Sequence, residues 1–196
     1  MKKKLNGISL EIPVEVYNPA EDSILLAENI KINVDEKILE IGSGSGFVSI
    51  FLAKQFPKND FFCLDINPMA TDSTRNNAKR NNVSLNIFLA NLMDSITDVS
   101  PYFDVILFNS PYLPVKDQGF LGSSWSGGEG GLETIEKFLL NLVKNMKKTG
   151  RCYLVVSSKT DLKKLELLVK KFYFVSNSID HIAESNETIH LFLIKF

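Results

Sequence analysis

Apolar residues recur along this chain in two rhythms. Ile8, Leu10, Ile12, Val14 and Val16 alternate with mostly polar residues, the period-two pattern of a half-buried strand, and Pro13 within it confines that strand to an edge on the domain's margin. Apolar runs at 37–41, 61–64, 85–90, 103–108 and 151–157 have no helical spacing and suit strands covered on both faces. Helical segments lie between them. One spans 47–56 and is ended by Pro57, a second is opened by Asn67-Pro68, a third covers 132–146, and a fourth, 161–171, carries apolar Leu162, Leu165, Leu168 and Val169. Upstream, Asn18-Pro19-Ala20-Glu21 offers an N-cap, a proline at the first helical position and a capping-box glutamate for a helix reaching to about residue 30. Two final runs, 172–179 and 188–196, fit an antiparallel hairpin. The alternation predicts an α/β fold: a doubly wound, mostly parallel seven-stranded sheet with that antiparallel terminal hairpin, in one domain covering residues 1–196.

Charge and cysteine usage narrow the function classes. With 22 Lys and Arg against 23 Asp and Glu, the net charge is −1, so no global basic field points to nucleic acid. The chain's two cysteines, Cys63 and Cys152, each sit inside a strand-like run, too few for a metal site, and read as core thiols of a reducing compartment. Met1-Lys2-Lys3-Lys4 has the charge of a signal-peptide start, but no continuous apolar segment follows and no stretch is long enough to span a bilayer, so a cytoplasmic location is expected. On the helix after Asn67, Arg75, Lys79, Arg80 and four asparagines read as a solvated face. No metal cluster is visible, and His181 and His190 suit surface or packing roles in the terminal hairpin.

Three places could carry chemistry. Glu40-Ile41-Gly42-Ser43-Gly44-Ser45-Gly46 sets glycines where a strand turns sharply into a helix, so the backbone can approach a ligand that a Cβ would repel. The dinucleotide fingerprint is G-x-G-x-x-G, whereas this chain has G-x-G-x-G with Phe47 in the place of the last glycine, which points away from a pyrophosphate. Asp65 ends the next strand where an acid grips the ribose hydroxyls of a cofactor lying over the glycine turn; a turn or helix-capping role is the alternative. Finally, the run from Phe103 stops at Asn109-Ser110-Pro111-Tyr112. Pro111 lacks an N–H and cannot continue the ladder, so this tip leaves the sheet at its carboxyl end, where ligands of open α/β sheets collect. An ordinary strand-to-loop turn would use the same residues.

Together the glycine loop, Asp65 and the strand-tip asparagine resemble class I S-adenosylmethionine-dependent methyltransferases, in which Glu40 matches an acid often found before the first glycine. Val16-Tyr17-Asn18-Pro19-Ala20-Glu21-Asp22-Ser23, Asn109-Ser110-Pro111-Tyr112 and Trp125-Ser126-Gly127-Gly128 are similar, in order and spacing, to the HemK-related methyltransferases of the eukaryotic and archaeal branch. The resemblance covers nearly the whole chain. It implies S-adenosylmethionine as cofactor and, as substrate, the glutamine side-chain amide in the Gly-Gly-Gln motif of a class-1 translation release factor; some members act on other substrates, including protein lysines. It also implies that Tyr17, Pro19, Glu21, Ser23, Glu40, Gly42, Gly44, Gly46, Asp65, Ile66, Asn91, Leu92 and Asn109 hold the cofactor, that Asn109, Ser110, Pro111 and Tyr112 carry catalysis, and that Trp125 and Gly127, in the glycine-rich stretch 113–131, lie near the substrate.

Two departures stand out. Ser110 replaces the first proline of the family's Asn-Pro-Pro-Tyr, keeping the backbone carbonyl and giving up rigidity. Asn91 stands where an acid is common, and its amide oxygen can still accept from an adenine amino group. Variant tetrapeptides also occur in methyltransferases of adenine and guanine amino groups, so base methylation is a rival reading, and a non-catalytic cofactor-binding module is another. In the fold so implied, Leu85-Asn86-Ile87-Phe88-Leu89 is the sheet's outer strand, with no proline or charge to discourage pairing. Relatives pair it with a small zinc-ribbon activator subunit, which the resemblance extends to this chain; the 8–16 arm or a helix of the same chain is the alternative cover.

Overall fold

The computed structural model describes residues 1–94, 96, 102–111, 132–172, 175–183 and 186–196. An N-terminal hairpin pairs β1 (Lys2–Leu5) with β2 (Ile8–Glu11) in a two-stranded sheet of its own. The main sheet holds β3 (Lys37–Ile41), β4 (Asp60–Asp65), β5 (Asn86–Leu89), β6 (Phe103–Asn109), β7 (Met146–Ser157), β8 (Val175–Ile182) and β9 (Thr188–Lys195), in the spatial order β5-β4-β3-β6-β7-β9-β8. From β5 to β7 every pairing is parallel, and β9 joins β7 and β8 antiparallel, as expected from the sequence. Alternate residues of each strand feed two cores. Ile38, Val105, Leu107 and Val155 pack with α1 (Glu21–Glu28), α2 (Phe47–Gln55) and the hairpin, while Leu39, Ile106, Phe108 and Leu154 pack with α4 (Glu133–Asn145) and α5 (Leu162–Lys171). Helix α3 (Pro68–Arg80) is capped as expected: Asn67 Oδ1 accepts from the Met69 N–H at 2.9 Å. Among the described residues no helix is long and apolar enough to cross a membrane.

The alternating arm expected as a strand through Val16 pairs only over Ile8–Glu11 and stops before Pro13, and two further boundaries differ from expectation for local reasons. Helix α1 begins at Glu21 with Ala20 as its cap residue, because the Asn18 side chain is occupied elsewhere: Lys3 Nζ donates to Asn18 Oδ1 at 3.2 Å and to the Pro19 carbonyl at 2.7 Å. Strand β7 starts at Met146, and a register irregularity opposite Phe103 and Val105 absorbs the extra residues before Arg151.

Two of the four asparagines expected on a solvated face depart from it, Asn77 in α3 and Asn81 just after it, while Asn76 and Asn82 are exposed together with Arg75, Lys79 and Arg80. Asn77 is fully buried and Asn81 is 6% exposed. Asn77 Oδ1 accepts from the Glu11 N–H at 2.8 Å and its Nδ2 donates to the Glu11 carbonyl at 3.1 Å; Asn81 does the same to Ser9, at 3.0 and 2.8 Å. Four helical residues advance about 6 Å and two strand residues about 6.7 Å, so amides spaced i, i+4 on α3 match alternate peptides of β2 and stand in for a third strand. The hairpin is therefore docked on α3. It does not cover β5, which pairs only with β4 among the described residues and leaves Phe88 52% and Leu89 60% exposed. Asn77 also donates to the Ser45 carbonyl at 3.0 Å, tying this clamp to the glycine turn. Replacing Asn77 with alanine strands three backbone groups, those of Glu11 partly buried and the Ser45 carbonyl buried, and should lower the unfolding free energy by about 2–4 kcal/mol, against about 0.5 or less for exposed Asn76→Ala, as read by urea titration; equal effects would contradict the clamp.

Candidate active site

Strand β3 delivers the glycine turn to the carboxyl end of the sheet. The Gly42 and Ser43 N–H groups donate to the Leu64 carbonyl at 2.8 and 3.1 Å, which bends the chain over the end of β4. Gly44 then takes a φ of 55°, a conformation that glycine adopts without the clash a Cβ brings, and aims its N–H at Asp65 Oδ2, 2.9 Å away. Asp65 Oδ1 accepts from the Asn67 N–H, also at 2.9 Å. One carboxylate thus braces the loop and the start of α3. Burial pushes the Asp65 carboxyl above its usual range, and the N–H groups of Asn67, Gly44 and Ile66 pull it part of the way back.

Behind the turn, Glu40 is 3% exposed, and its Oε2 accepts from both the N–H and the hydroxyl of Ser49. Burial pushes this carboxyl up to about 8; the Ser49 donors oppose the rise and the charge of Asp65 adds to it.

The tip of β6 is held from two sides. Tyr17 donates its hydroxyl to Asp22 Oδ2 at 2.8 Å, the Ser23 hydroxyl donates to Asp22 Oδ1 at 3.1 Å, and Asn109 Nδ2 donates to Ser23 Oγ at 3.4 Å. This relay turns the Asn109 amide so that its oxygen is left over: Oδ1 is buried and has no hydrogen-bond partner. On the other side, Ser110 gives both its N–H (3.3 Å) and its hydroxyl (2.6 Å) to the Val155 carbonyl of β7. A proline could make neither bond. The rigidity expected to be lost at Ser110 is restored by stitching the tip to the next strand.

These elements surround a cavity of about 470 Å³, within the range of small-molecule sites. It is lined by Tyr17, Pro19, Ser23, Glu40, Gly42, Gly44, Asp65, Ile66, Asn91, Leu92, Asn109, Ser110 and Pro111, all expected from the sequence. Glu21 and Gly46 do not line it. Glu21 opens α1, and Gly46 lets two helices approach, since a Cβ there would meet Thr74 Cγ2 at 3.0 Å and Thr74 Cα at 3.2 Å. Tyr112, Trp125 and Gly127 lie outside the described residues. Sequence reasoning missed Asp22, Lys159 and Glu187, which also line the cavity. Asp22 had a signal, an acid in the first turn of a helix five residues after Tyr17; Lys159 and Glu187 meet only through the sheet.

A pH dependence follows from Glu40. The folded carboxyl keeps its proton to about pH 8 whereas the unfolded one loses it near 4.5. The unfolded state therefore binds fewer protons between these values, and stability falls as pH rises, by up to about 1.4 kcal/mol per unit. Measured by urea unfolding of the free protein, the parent should lose roughly 3 kcal/mol more than Glu40→Gln between about pH 5 and 8; parallel pH profiles would mean that Glu40 is ionised in the fold.

Known proteins resemble this chain in sequence and fold. A Methanocaldococcus jannaschii protein that bears the name of a candidate N5-glutamine methyltransferase is 40% identical over 161 residues, covering 80% of each chain. The release factor glutamine methyltransferase of Streptococcus pneumoniae is 29% identical over 167 residues, covering 78% of this chain and 58% of that protein. Among solved structures, the E. cuniculi Mtq2–Trm112 complex, responsible for methylation of the eRF1 translation termination factor, superposes with a TM-score of 0.73 at 23% identity, over 93% of this chain and 99% of that one, a likeness of fold. Residues 20–181 match the methyltransferase small domain model, and the chain belongs to that family of methyl-transferring enzymes.

Proposed function

We propose that this methyltransferase uses S-adenosylmethionine to methylate the side-chain amide nitrogen of a glutamine, that of the Gly-Gly-Gln motif in a class-1 release factor, in the cytoplasm. The observation that carries the substrate class is the partnerless Asn109 Oδ1, an acceptor waiting for an N–H at the end of β6. The named activities of the relatives point the same way.

The residues of the cavity fit the cofactor. Gly42 and Gly44 leave room that a Cβ would take, Asp65 would accept from ribose hydroxyls, Ile66 and Leu92 offer apolar surface to an adenine ring, and the Asn91 amide oxygen an acceptor for its amino group. When bound, the cofactor supplies a methyl group on a sulfonium that becomes neutral on transfer, so no fixed cation is required.

A planar amide nitrogen is a poor nucleophile because its lone pair is delocalised, so catalysis here rests on positioning. Asn109 Oδ1 and the Ser110 carbonyl would each accept one of the two amide N–H bonds, turning the nitrogen toward the methyl carbon. The Ser23–Asp22 relay fixes the Asn109 amide and the Val155 stitch fixes Ser110, so both acceptors are held before substrate arrives. The protonated N-methyl amide is strongly acidic and sheds its proton to water without a dedicated base.

The same reading includes a small activator subunit, a zinc ribbon in type, adding a strand to the open edge of β5, where Phe88 and Leu89 stand exposed. Phe88→Lys should cut co-purification of such a subunit at least tenfold; an active, soluble monomer without any partner would remove it.

With labelled cofactor, release factor and total RNA in one incubation, mass spectrometry should find the label on the release-factor glutamine; label confined to RNA would overturn the reading. Asn109→Ala should reduce transfer at least a hundredfold with cofactor affinity within about threefold, whereas Asp65→Ala should weaken cofactor binding by about 1–3 kcal/mol in calorimetry. Parallel loss of both properties in both variants would mean the roles are misassigned.

A further inference from the structure

A second buried acceptor without a partner belongs to a residue that lines the same cavity. Glu187, in the turn between β8 and β9, has one carboxylate oxygen, Oε2, 3.0 Å from Lys159 Nζ, while its other oxygen, Oε1, is buried and has no hydrogen-bond partner. The side chain is 13% exposed and lines the cavity beside Lys159. Its backbone is fixed: the Ala183 N–H donates to the Glu187 carbonyl at 2.8 Å, the Ser158 N–H to the Thr188 carbonyl at 2.8 Å, and the Thr188 N–H returns to Ser158 Oγ at 3.2 Å. A buried carboxylate oxygen with no donor is costly and calls for a partner.

We propose that Glu187 Oε1 is a specificity-determining acceptor for the protein substrate, taking a main-chain N–H of the peptide that carries the target glutamine. This rests on the reading of the site given above and extends it to the substrate's backbone. The sheet order places β9 two strands from β6, about 10 Å at the usual strand spacing. One NH₂ group cannot bridge that distance, so Asn109 and Glu187 address different donors of one substrate, and an extended chain covers the gap in about three residues. Lys159 already matches the charge of Glu187, which makes a neutral peptide N–H the fitting donor rather than a second cation. The glycine loop springs from β3, one strand further from Glu187 than β6 is, so this acceptor belongs to the substrate side of the cavity and not to the cofactor.

The test is steady-state methylation of whole release factor by the full chain, or by the complex if an activator copurifies. Glu187→Ala should raise KM for release factor at least tenfold, leave kcat within about threefold and leave the calorimetric Kd for S-adenosylmethionine unchanged. Glu187→Gln, which keeps an acceptor oxygen, should recover much of the loss and guards against a folding defect in the alanine variant. The parent-to-variant KM ratio should hold as salt is raised, since a main-chain donor carries no charge to screen. An unchanged KM in both variants overturns the proposal, and so does a ratio that collapses with salt, the mark of a cationic side chain. If the parent leaves release factor unmethylated, the reading of the site fails first and this inference falls with it.

Discussion

A primary amide has a donor end and an acceptor end, and the site depends on which end of Asn109 is held. One N–H of Nδ2 goes to Ser23 Oγ, the Ser23 hydroxyl goes to Asp22, and Asp22 also takes the Tyr17 hydroxyl, so the carboxamide oxygen is left buried without a partner. Each link comes from a different local structure: Asn109 from the end of β6, Ser23 and Asp22 from the first turn of α1, Tyr17 from the segment before it. Fixing the acceptor in advance removes the cost of orienting it at the moment of reaction, which is where a weak nucleophile most needs help.

The same economy appears at Ser110. Where a proline would stiffen the tip through its ring, the serine hydroxyl and N–H converge on the Val155 carbonyl. The constraint comes from the neighbouring strand, so the position of the tip is linked to the β6–β7 register. The glycine turn is braced in a comparable way, by Asp65 from β4 and by Asn77 from α3, and Asn77 carries that support out to the N-terminal hairpin. Residues 1–19 precede the stretch matched by the family model, yet Tyr17 and Pro19 from them line the cavity.

Signals that depend on neighbours in sequence were legible there: the apolar runs of the parallel strands, the Asn67 cap, the glycine turn followed by Asp65, and the strand stopped at Pro111. What escaped were polar residues whose partners are distant. Asn77 and Asn81 look like any solvated helix face until β2 docks 66 and 72 residues away. Lys159 and Glu187 come together only because β9 returns beside β7. Asn18 has the local signature of a cap because nothing near it in sequence announces that Lys3 will take its side chain. Burial of a polar group can be recognised in sequence only when the group that satisfies it is close by.

A crystal structure of the chain with S-adenosylhomocysteine and a release-factor fragment bearing the Gly-Gly-Gln motif tests the central claim most directly. The glutamine amide nitrogen should lie within about 2.7–3.2 Å of both Asn109 Oδ1 and the Ser110 carbonyl oxygen. An amide bound elsewhere, or an Asn109 rotated to offer its NH₂ to the substrate, would contradict it.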